Sequence, residues 1–408
     1  MKHRIVILGA GYAGASAAGR LARRLHGDDV ELTLVNAEPD FVERVRLHQL
    51  AAGQDLRARP LTDLLAGTGV TLRVARVTAV DVDRRTVALA GADGAPGAEL
   101  AYDTLVYALG SSADDHGVPG VAEHAHELAG RGGALRLRDR LAALEPGGRV
   151  VVVGGGLTGI EAVTEIAEAR PDLDVALAVR GDLGAWLSDA GQRHLRKVLD
   201  RLGVTVHEHT DVARVTASGV VTAGGATLAA DVAVWTTGFA AHPIAAATAL
   251  ERTDHGRIVV DGTMRSVSHP DVYAVGDAAQ ADGPLGNPLR MSCASGIPMA
   301  WQAADSIAAR LTGGRLPRMP LAYVHQCISL GRRDAIIQFV TADDQARPAA
   351  PGGRLAARYK ELVCAGAAWT VANPIQYPVR RRRLTAAPSV GHERVNSGEA
   401  PAARGVRS

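Results

Sequence analysis

The sequence predicts an α/β fold with two parallel-sheet units of one kind, and three observations predict it. Residues 4–16 read RIVILGAGYAGAS and residues 149–161 read RVVVVGGGLTGIE, so one pattern occurs twice in one chain. In each copy a short apolar run, as expected of a strand buried on both faces, enters a glycine-rich turn and then a segment with apolar residues at helical spacing. The third observation is size. A chain of 408 residues, 47% of them hydrophobic, is too long for one typical domain and can fill two or three cores.

In the first copy the apolar run is residues 5–8. Gly9, Gly11 and Gly14 form GxGxxG, and Ala17, Ala18, Leu21, Ala22 and Leu25 follow at helical spacing. ELTLVN, residues 31–36, reads as the next strand. This strand–turn–helix–strand context makes the motif specific for a dinucleotide. Gly9 allows the tight turn, Gly11 lets the backbone approach a pyrophosphate, and Gly14 lets helix and strand pack closely. The helix start then offers unpaired N–H groups and a positive dipole end to phosphate. An acid is expected to close the second strand and hold ribose hydroxyls. Asn36 stands there instead, uncharged but able to bond a hydroxyl, with Glu38 two residues on as the alternative.

In the second copy residues 150–153 are the strand, Gly154, Gly156 and Gly159 repeat the spacing, and residues 160–169 read as helix. VALAV, 175–179, is the next strand, closed by Arg180. An arginine at this position suits a 2′-phosphate, which points to NADPH as well as NADH. The alternative is an arginine on a solvent-facing strand end. Glu161 and Glu165 share one face of this helix. They read either as a solvated face or as a pair beside a nicotinamide.

Two such units imply two dinucleotides whose reactive rings meet, and a nicotinamide with a flavin is the natural donor–acceptor pair. Three further apolar strands end in glycine: LVYALGS at 105–111, VAVWTTGF at 232–239 and VYAVGDAA at 272–279. Asp277 after Gly276 offers a carboxylate to a hydroxyl such as one on a ribityl chain.

In chain order the motifs are GxGxxG, ALG at 108–110, GxGxxGxE at 154–161, TTG at 236–238 and GD at 276–277. That ordered set resembles the pyridine nucleotide–disulfide oxidoreductase superfamily, over roughly residues 3–340. Within it the sequence is most similar to type II NADH dehydrogenases and related NAD(P)H:acceptor reductases. The resemblance implies two Rossmann-like dinucleotide-binding domains, the NAD(P)H domain inserted into the FAD domain, plus a small C-terminal α+β cap. The implied boundaries are 1–115 and 244–320 for FAD, 116–243 for NAD(P)H, 321–384 for the cap and 385–408 for a disordered tail. FAD would be bound through Gly9, Gly11, Gly14, Gly110, Gly276 and Asp277, with Val77 in a segment whose backbone contacts adenine. NADH or NADPH would be the co-substrate, with Gly154, Gly156, Gly159, Arg180 and Gly238 around it. Glu161 matches the family's acidic position near the nicotinamide, and Glu165 is the second candidate for orienting it or handling a proton.

The implied reaction passes hydride from NAD(P)H to the flavin N5 and electrons on to a second substrate. A quinone is the first choice. Another small acceptor, oxygen, an electron-transfer protein and a non-catalytic redox sensor are the alternatives.

The chain departs from the disulfide reductases in lacking a CxxC or CxxxxC pair. Cys293, Cys327 and Cys364 are far apart, which disfavours dithiol relay chemistry and fits a reducing cytoplasm. In SGIPMAWQAADSIAARLTGG, 295–314, Pro298 reads as a first-turn residue and Gly313 as the stop. His207 and His209 read as sharing one face of a strand without a third ligand, so no metal is expected.

A formal net charge of +2 suggests no nucleic-acid partner. No window of about 18 apolar residues suggests a transmembrane helix, and no signal peptide is seen. The expectation is a cytoplasmic protein with at most peripheral membrane contact, a homodimer being left open. The arginine run 380–383 reads as a solvated tail, or as a contact for anionic lipid headgroups. CISLGRRDAIIQFV and RLAARYKELVCAGAAWTVA, 327–340 and 354–372, read as strands and a helix of the cap.

Overall fold

The computed structural model describes residues 1–91, 96–316, 321–373 and 381–385. The two glycine-motif copies occupy equivalent places in two five-stranded sheets. In the first sheet the order is Val272–Ala274, Thr104–Tyr107, His3–Leu8, Val30–Asn36 and Thr71–Val74, every neighbouring pair parallel. In the second it is Thr205–His207, Asp174–Ala178, Arg149–Val153, Val232–Trp235 and Ala125–Glu127, again all parallel. Central strands of this kind are buried on both faces and read as continuous apolar runs. Accordingly Ile5, Ile7, Leu8, Val150 and Val152 have no exposed surface.

The likeness extends to single hydrogen bonds. Gly9 N–H donates to Val35 O at 2.8 Å, and Gly154 N–H donates to Ala178 O at 2.9 Å. Each unit also carries a three-stranded antiparallel meander. In the first it is Arg76–Asp81, Thr86–Ala90 and Pro96–Ala101; in the second it is Val212–Thr216, Gly219–Thr222 and Thr227–Ala229. The segments that leave the strands Thr104–Tyr107 and Val232–Trp235 lie side by side, Ser111–Ala113 pairing antiparallel with Phe239–Ala241.

Several local expectations are corrected. The segment around Val77, LRVARVTAV at 72–80, reads as one strand but is two: it leaves the parallel sheet after Val74 and restarts at Arg76 in the meander. Val77 therefore faces the core, 7% exposed, and pairs with Leu89. His207 ends a strand, but His209 lies beyond it with a left-handed φ of 52°, so the two share no strand face. The helix read from residue 295 begins earlier, as Cys293–Thr312. Ser292 caps it by accepting the Ser295 N–H, which puts Pro298 in the second turn rather than the first. Gly313 closes it in the left-handed conformation, φ 65°.

The C-terminal residues form a hairpin, His325–Ser329 with Ala335–Phe339, and the helix Arg354–Ala372. The last described segment, 381–385, is tied down rather than loose. Arg382 exchanges backbone hydrogen bonds with Arg24 and His26, and Arg383 pairs with Asp28 and Asp29. Arg380 and residues 386–408, most of the expected tail, lie outside the described residues. Among the described residues no helix is long and apolar enough to cross a membrane.

The helices Tyr12–Arg24 and Cys293–Thr312 pack against each other around one buried charge cluster. Arg20 donates both Nε and Nη2 to the Asp305 carboxylate, at 2.7 Å each, and its guanidinium lies 5.5 Å from the Trp301 ring centre. Arg24 reaches the same carboxylate at 2.8 Å from a more exposed position. A bidentate pair taken out of water depends on both partners. Asp305→Ala leaves the Arg20 cation buried and is expected to cost about 3–5 kcal/mol in urea unfolding. Arg24→Ala, at the solvent edge, is expected to cost under about 1 kcal/mol in the same assay.

Candidate active site

Both glycine turns place their helix on their strand by an approach too close for any side chain. A methyl group on Gly14 would lie 1.8 Å from Gly9 O, and one on Gly159 would lie 1.9 Å from Gly154 O. Gly9 and Gly154 hold positive φ, 91° and 121°, which glycine adopts without steric cost. Gly11 and Gly156 are the opposite case, with nothing within 4 Å of where a side chain would begin. Both open into one cleft of about 950 Å³.

The remaining walls come from strand ends and from the two long C-terminal helices. Gly110, Gly238 and Gly276 line the cleft, as do Arg180 at an exposed strand end and Asp277. The Asp277 carboxylate accepts from Ser111 Oγ at 2.6 Å and from Arg44 Nη1 at 3.5 Å. Arg44 in turn stacks 5.4 Å from the Phe239 ring centre. The start of the Cys293–Thr312 helix also lines the cleft: a side chain added at Gly296 would begin 3.4 Å from the Gly276 backbone and 3.5 Å from Ala13 Cβ. That helix start, with its dipole end and unpaired N–H groups, therefore abuts the first glycine turn.

Glu161 lines the cleft but is 4% exposed, so the reading of a solvated face does not hold. Its Oε1 accepts from Lys360 Nζ at 2.8 Å and from Ser329 N–H at 3.0 Å. Its Oε2 lies 3.6 Å from His48 Nδ1. Lys360, which also donates to Cys327 O at 2.8 Å, is held above the usual lysine range: burial is the largest single influence and opposes its charge, but the Glu161 carboxylate together with Cys364 and Cys327 raises it on balance. His48 is pushed down to about 4 by burial, with Lys360, Arg332 and Arg46 reinforcing and Glu161 opposing.

Glu165, one turn further along the helix, is buried and lies off the cleft, bonded by Gln54 and 3.8 Å from Arg332. Burial, with Glu168 in support, pushes its carboxyl up to about 7.

Six other sequence-predicted residues divide in the same way. Gly9, Gly14 and Gly159 sit behind the cleft wall, and Val77 lies away from it. Asn36 braces the first turn: Oδ1 accepts the Ala10 N–H at 2.9 Å, and Nδ2 donates to Glu38 O at 2.8 Å. Gly238 lies against the His116 ring.

Sequence reasoning missed Arg44, His48, Ser111 and Lys360, which no motif marks. It also gave no sign that Cys327 and Cys364 line this cleft beside Cys293. Burial raises all three thiols, Cys293 to about 11 and Cys327 to about 12, so they stay protonated.

Comparison with known proteins adds independent findings. Residues 3–308 match the family model described as pyridine nucleotide-disulphide oxidoreductase. An NADH dehydrogenase-like protein of Mycobacterium tuberculosis is 32% identical over 360 residues, 82% of this chain and 87% of the relative. A demethylphylloquinone reductase of Synechocystis is 27% identical over 352 residues, 82% and 86% of the two chains. Among solved structures, NDH2 from Plasmodium falciparum in complex with NADH superposes with a TM-score of 0.76 at 14% identity, over 91% of this chain and 96% of the other.

The raised Glu165 carboxyl carries a stability signature. Between its ordinary value of 4.5 and about 7 the folded protein holds a proton that the unfolded chain has lost. Stability from this group is thus full below 4.5 and is lost as pH rises through 7. Glu165→Gln is expected to remove up to about 3 kcal/mol of pH dependence between pH 4.5 and pH 7.5, measured by urea unfolding of both proteins. Equal slopes for the two proteins would refute the assignment.

Proposed function

The chain belongs to the pyridine nucleotide-disulphide oxidoreductase family, and from that premise we propose an FAD-dependent NAD(P)H:acceptor oxidoreductase that brings both dinucleotides into one cleft. The observation that carries this reading is that two glycine turns, from two separate sheets, open into the same cleft. FAD, when bound, supplies the two-electron chemistry that side chains do not.

The residues present fit that cofactor. At Gly11 the backbone is bare, and the first N–H groups of the Tyr12–Arg24 helix have no carbonyl partner within it, so a pyrophosphate can approach and be bonded. Asp277, oriented by Ser111 and Arg44, offers acceptor lone pairs to ribityl hydroxyls. The positive start of the Cys293–Thr312 helix favours negative charge in the cleft, by about 0.3–1 kcal/mol if exposed and up to ~2 if partly buried.

NAD(P)H takes the second turn in this reading, its pyrophosphate at Gly156 and the start of the Leu157–Ala169 helix, with Arg180 free to meet a 2′-phosphate. Glu161, fixed by Lys360 and the Ser329 N–H, orients the nicotinamide. The second substrate is a quinone. Leu47, Val363 and Ala367 give the cleft an apolar wall suited to a flat ring, and a relative is named a demethylphylloquinone reductase.

Two substitutions separate the turns. Gly11→Leu is expected to give colourless protein without the flavin absorbance of the parent. Gly156→Leu is expected to stay yellow but to weaken NADH binding about tenfold or more, measured by anaerobic titration. Loss of flavin from the second variant and not the first would reverse the assignment. Arg180→Glu is expected to shift preference from NADPH towards NADH in the same titration; an unchanged ratio would remove the 2′-phosphate contact.

A further inference from the structure

NAD(P)H gives up a hydride, which is two electrons and one proton. A quinone takes two electrons and two protons to become a dihydroxyaromatic ring. One proton per turnover therefore comes from solvent, and a side chain that carries it must connect the cleft with the outside. Most polar groups of the lining are committed elsewhere. Glu161 is almost wholly buried and accepts from Lys360 and the Ser329 N–H. Lys360 is held above the usual lysine range and keeps its proton, as do the three raised thiols. His48 is buried, with its ring pushed down to about 4. Asp277 is held by Ser111 and Arg44. His116 lies against Gly238 and 3.3 Å from Asp114, on the side assigned to NAD(P)H.

His325 is different. It opens the strand His325–Ser329 and lines the same cleft as Val363 and Ala367, the apolar wall on the last helix. Its ring stands between two others. The Phe339 ring centre, directly across the hairpin, is 6.4 Å away, and the Tyr359 ring centre, on the last helix, is 5.5 Å away. His325 Nε2 makes a hydrogen bond of 3.3 Å with the Tyr359 hydroxyl. Tyr359 is 43% exposed and is not part of the cleft lining. The imidazole thus belongs to the cleft wall, while its partner stands in solvent. Nδ1 has no partner among the described residues and is the nitrogen left to meet a ligand. Burial, and no charged neighbour among the described residues, lowers the ring from its ordinary value, so it is neutral near pH 7 and can both take and give a proton.

We propose that Tyr359 and His325 form the path by which the solvent proton reaches the second substrate, His325 being the residue that hands it over. This rests on the proposed function. A hydroxyl that donates to Nε2 leaves the ring proton on Nδ1. The Nδ1–H bond breaks as an O–H bond forms on one carbonyl oxygen of the acceptor. Nε2 takes the Tyr359 proton, which solvent replaces, and the ring returns to its first tautomer by exchange with solvent. The two electrons and the other proton come from the NAD(P)H hydride.

The test compares two acceptors on the flavin-loaded full chain: menadione, which takes protons, and ferricyanide, which takes electrons alone. His325→Phe keeps a ring between Phe339 and Tyr359 but removes both nitrogens. The ratio of menadione to ferricyanide turnover is expected to fall about tenfold or more, through kcat, with KM for menadione within about twofold. Menadione binding to the oxidised protein, read from the flavin spectrum, is expected to stay within about twofold as well. Tyr359→Phe, which removes one solvent-side hydroxyl, is expected to lower the same ratio about threefold or more.

An unchanged ratio in either variant would overturn the inference, because water then supplies the proton unaided. So would a loss confined to menadione affinity, which would make His325 a binding residue. Equal losses with both acceptors would mean that the hairpin has shifted, and would also overturn it. If His325→Phe does not hold flavin, Tyr359→Phe decides. Bleaching of the parent flavin by NADH or NADPH without acceptor is measured first. No bleaching overturns the proposed function and the proton path with it, whereas bleaching with an unchanged ratio overturns the path alone.

Discussion

Everything in this molecule depends on the close approach of a glycine to a carbonyl oxygen, made twice. Gly14 lies against Gly9 O and Gly159 against Gly154 O so closely that a methyl group would sit inside 2 Å of the oxygen. This approach draws each helix start down onto its strand end and aims its unpaired N–H groups outward. A side chain at either position would lift the helix and dissolve the phosphate cradle. The middle glycines are needed for the opposite reason, since a ligand rather than the protein must fill the space beside them.

Two such cradles make a redox site only if they face the same space. The pairing of Ser111–Ala113 with Phe239–Ala241 holds the two connecting segments together beside the cleft. Arg44 adds a side-chain link, bonding Ser111 and Asp277 on one side and stacking on Phe239 on the other. The C-terminal part closes the cleft with a buried ion pair, Lys360 on Glu161. Breaking such a pair by removing one partner is costly, because the remaining charge is left without water. The hairpin and the last helix are therefore part of the site and not an appendage to it.

The buried charges also explain why three cysteines in one cleft do not amount to thiol chemistry. The Lys360 cation favours thiolate, but burial outweighs it at each sulfur. The polar groups left to the cleft include Glu161, Lys360, Asp277, Arg44 and Arg180.

The sequence by itself determined the two turns, their strands and helices, and the order of the glycine-terminated strands, because those constraints act between residues a few positions apart. It also located Glu161 and Asp277, which sit at fixed offsets from a glycine motif. It did not show that the Asn36 side chain braces its own turn or that the Val77 side chain packs in the core. Whether a side chain faces a ligand or its own turn depends on neighbours such as Ala10 and Leu89 that no spacing reveals. Only the tertiary structure decided that Lys360 answers Glu161 across 199 residues, that Arg20 answers Asp305 across 285, and that His48 is left with an unanswered nitrogen. The physical reason is burial: a charge or lone pair removed from water must find its partner in space, and separation along the chain places no limit on where that partner comes from.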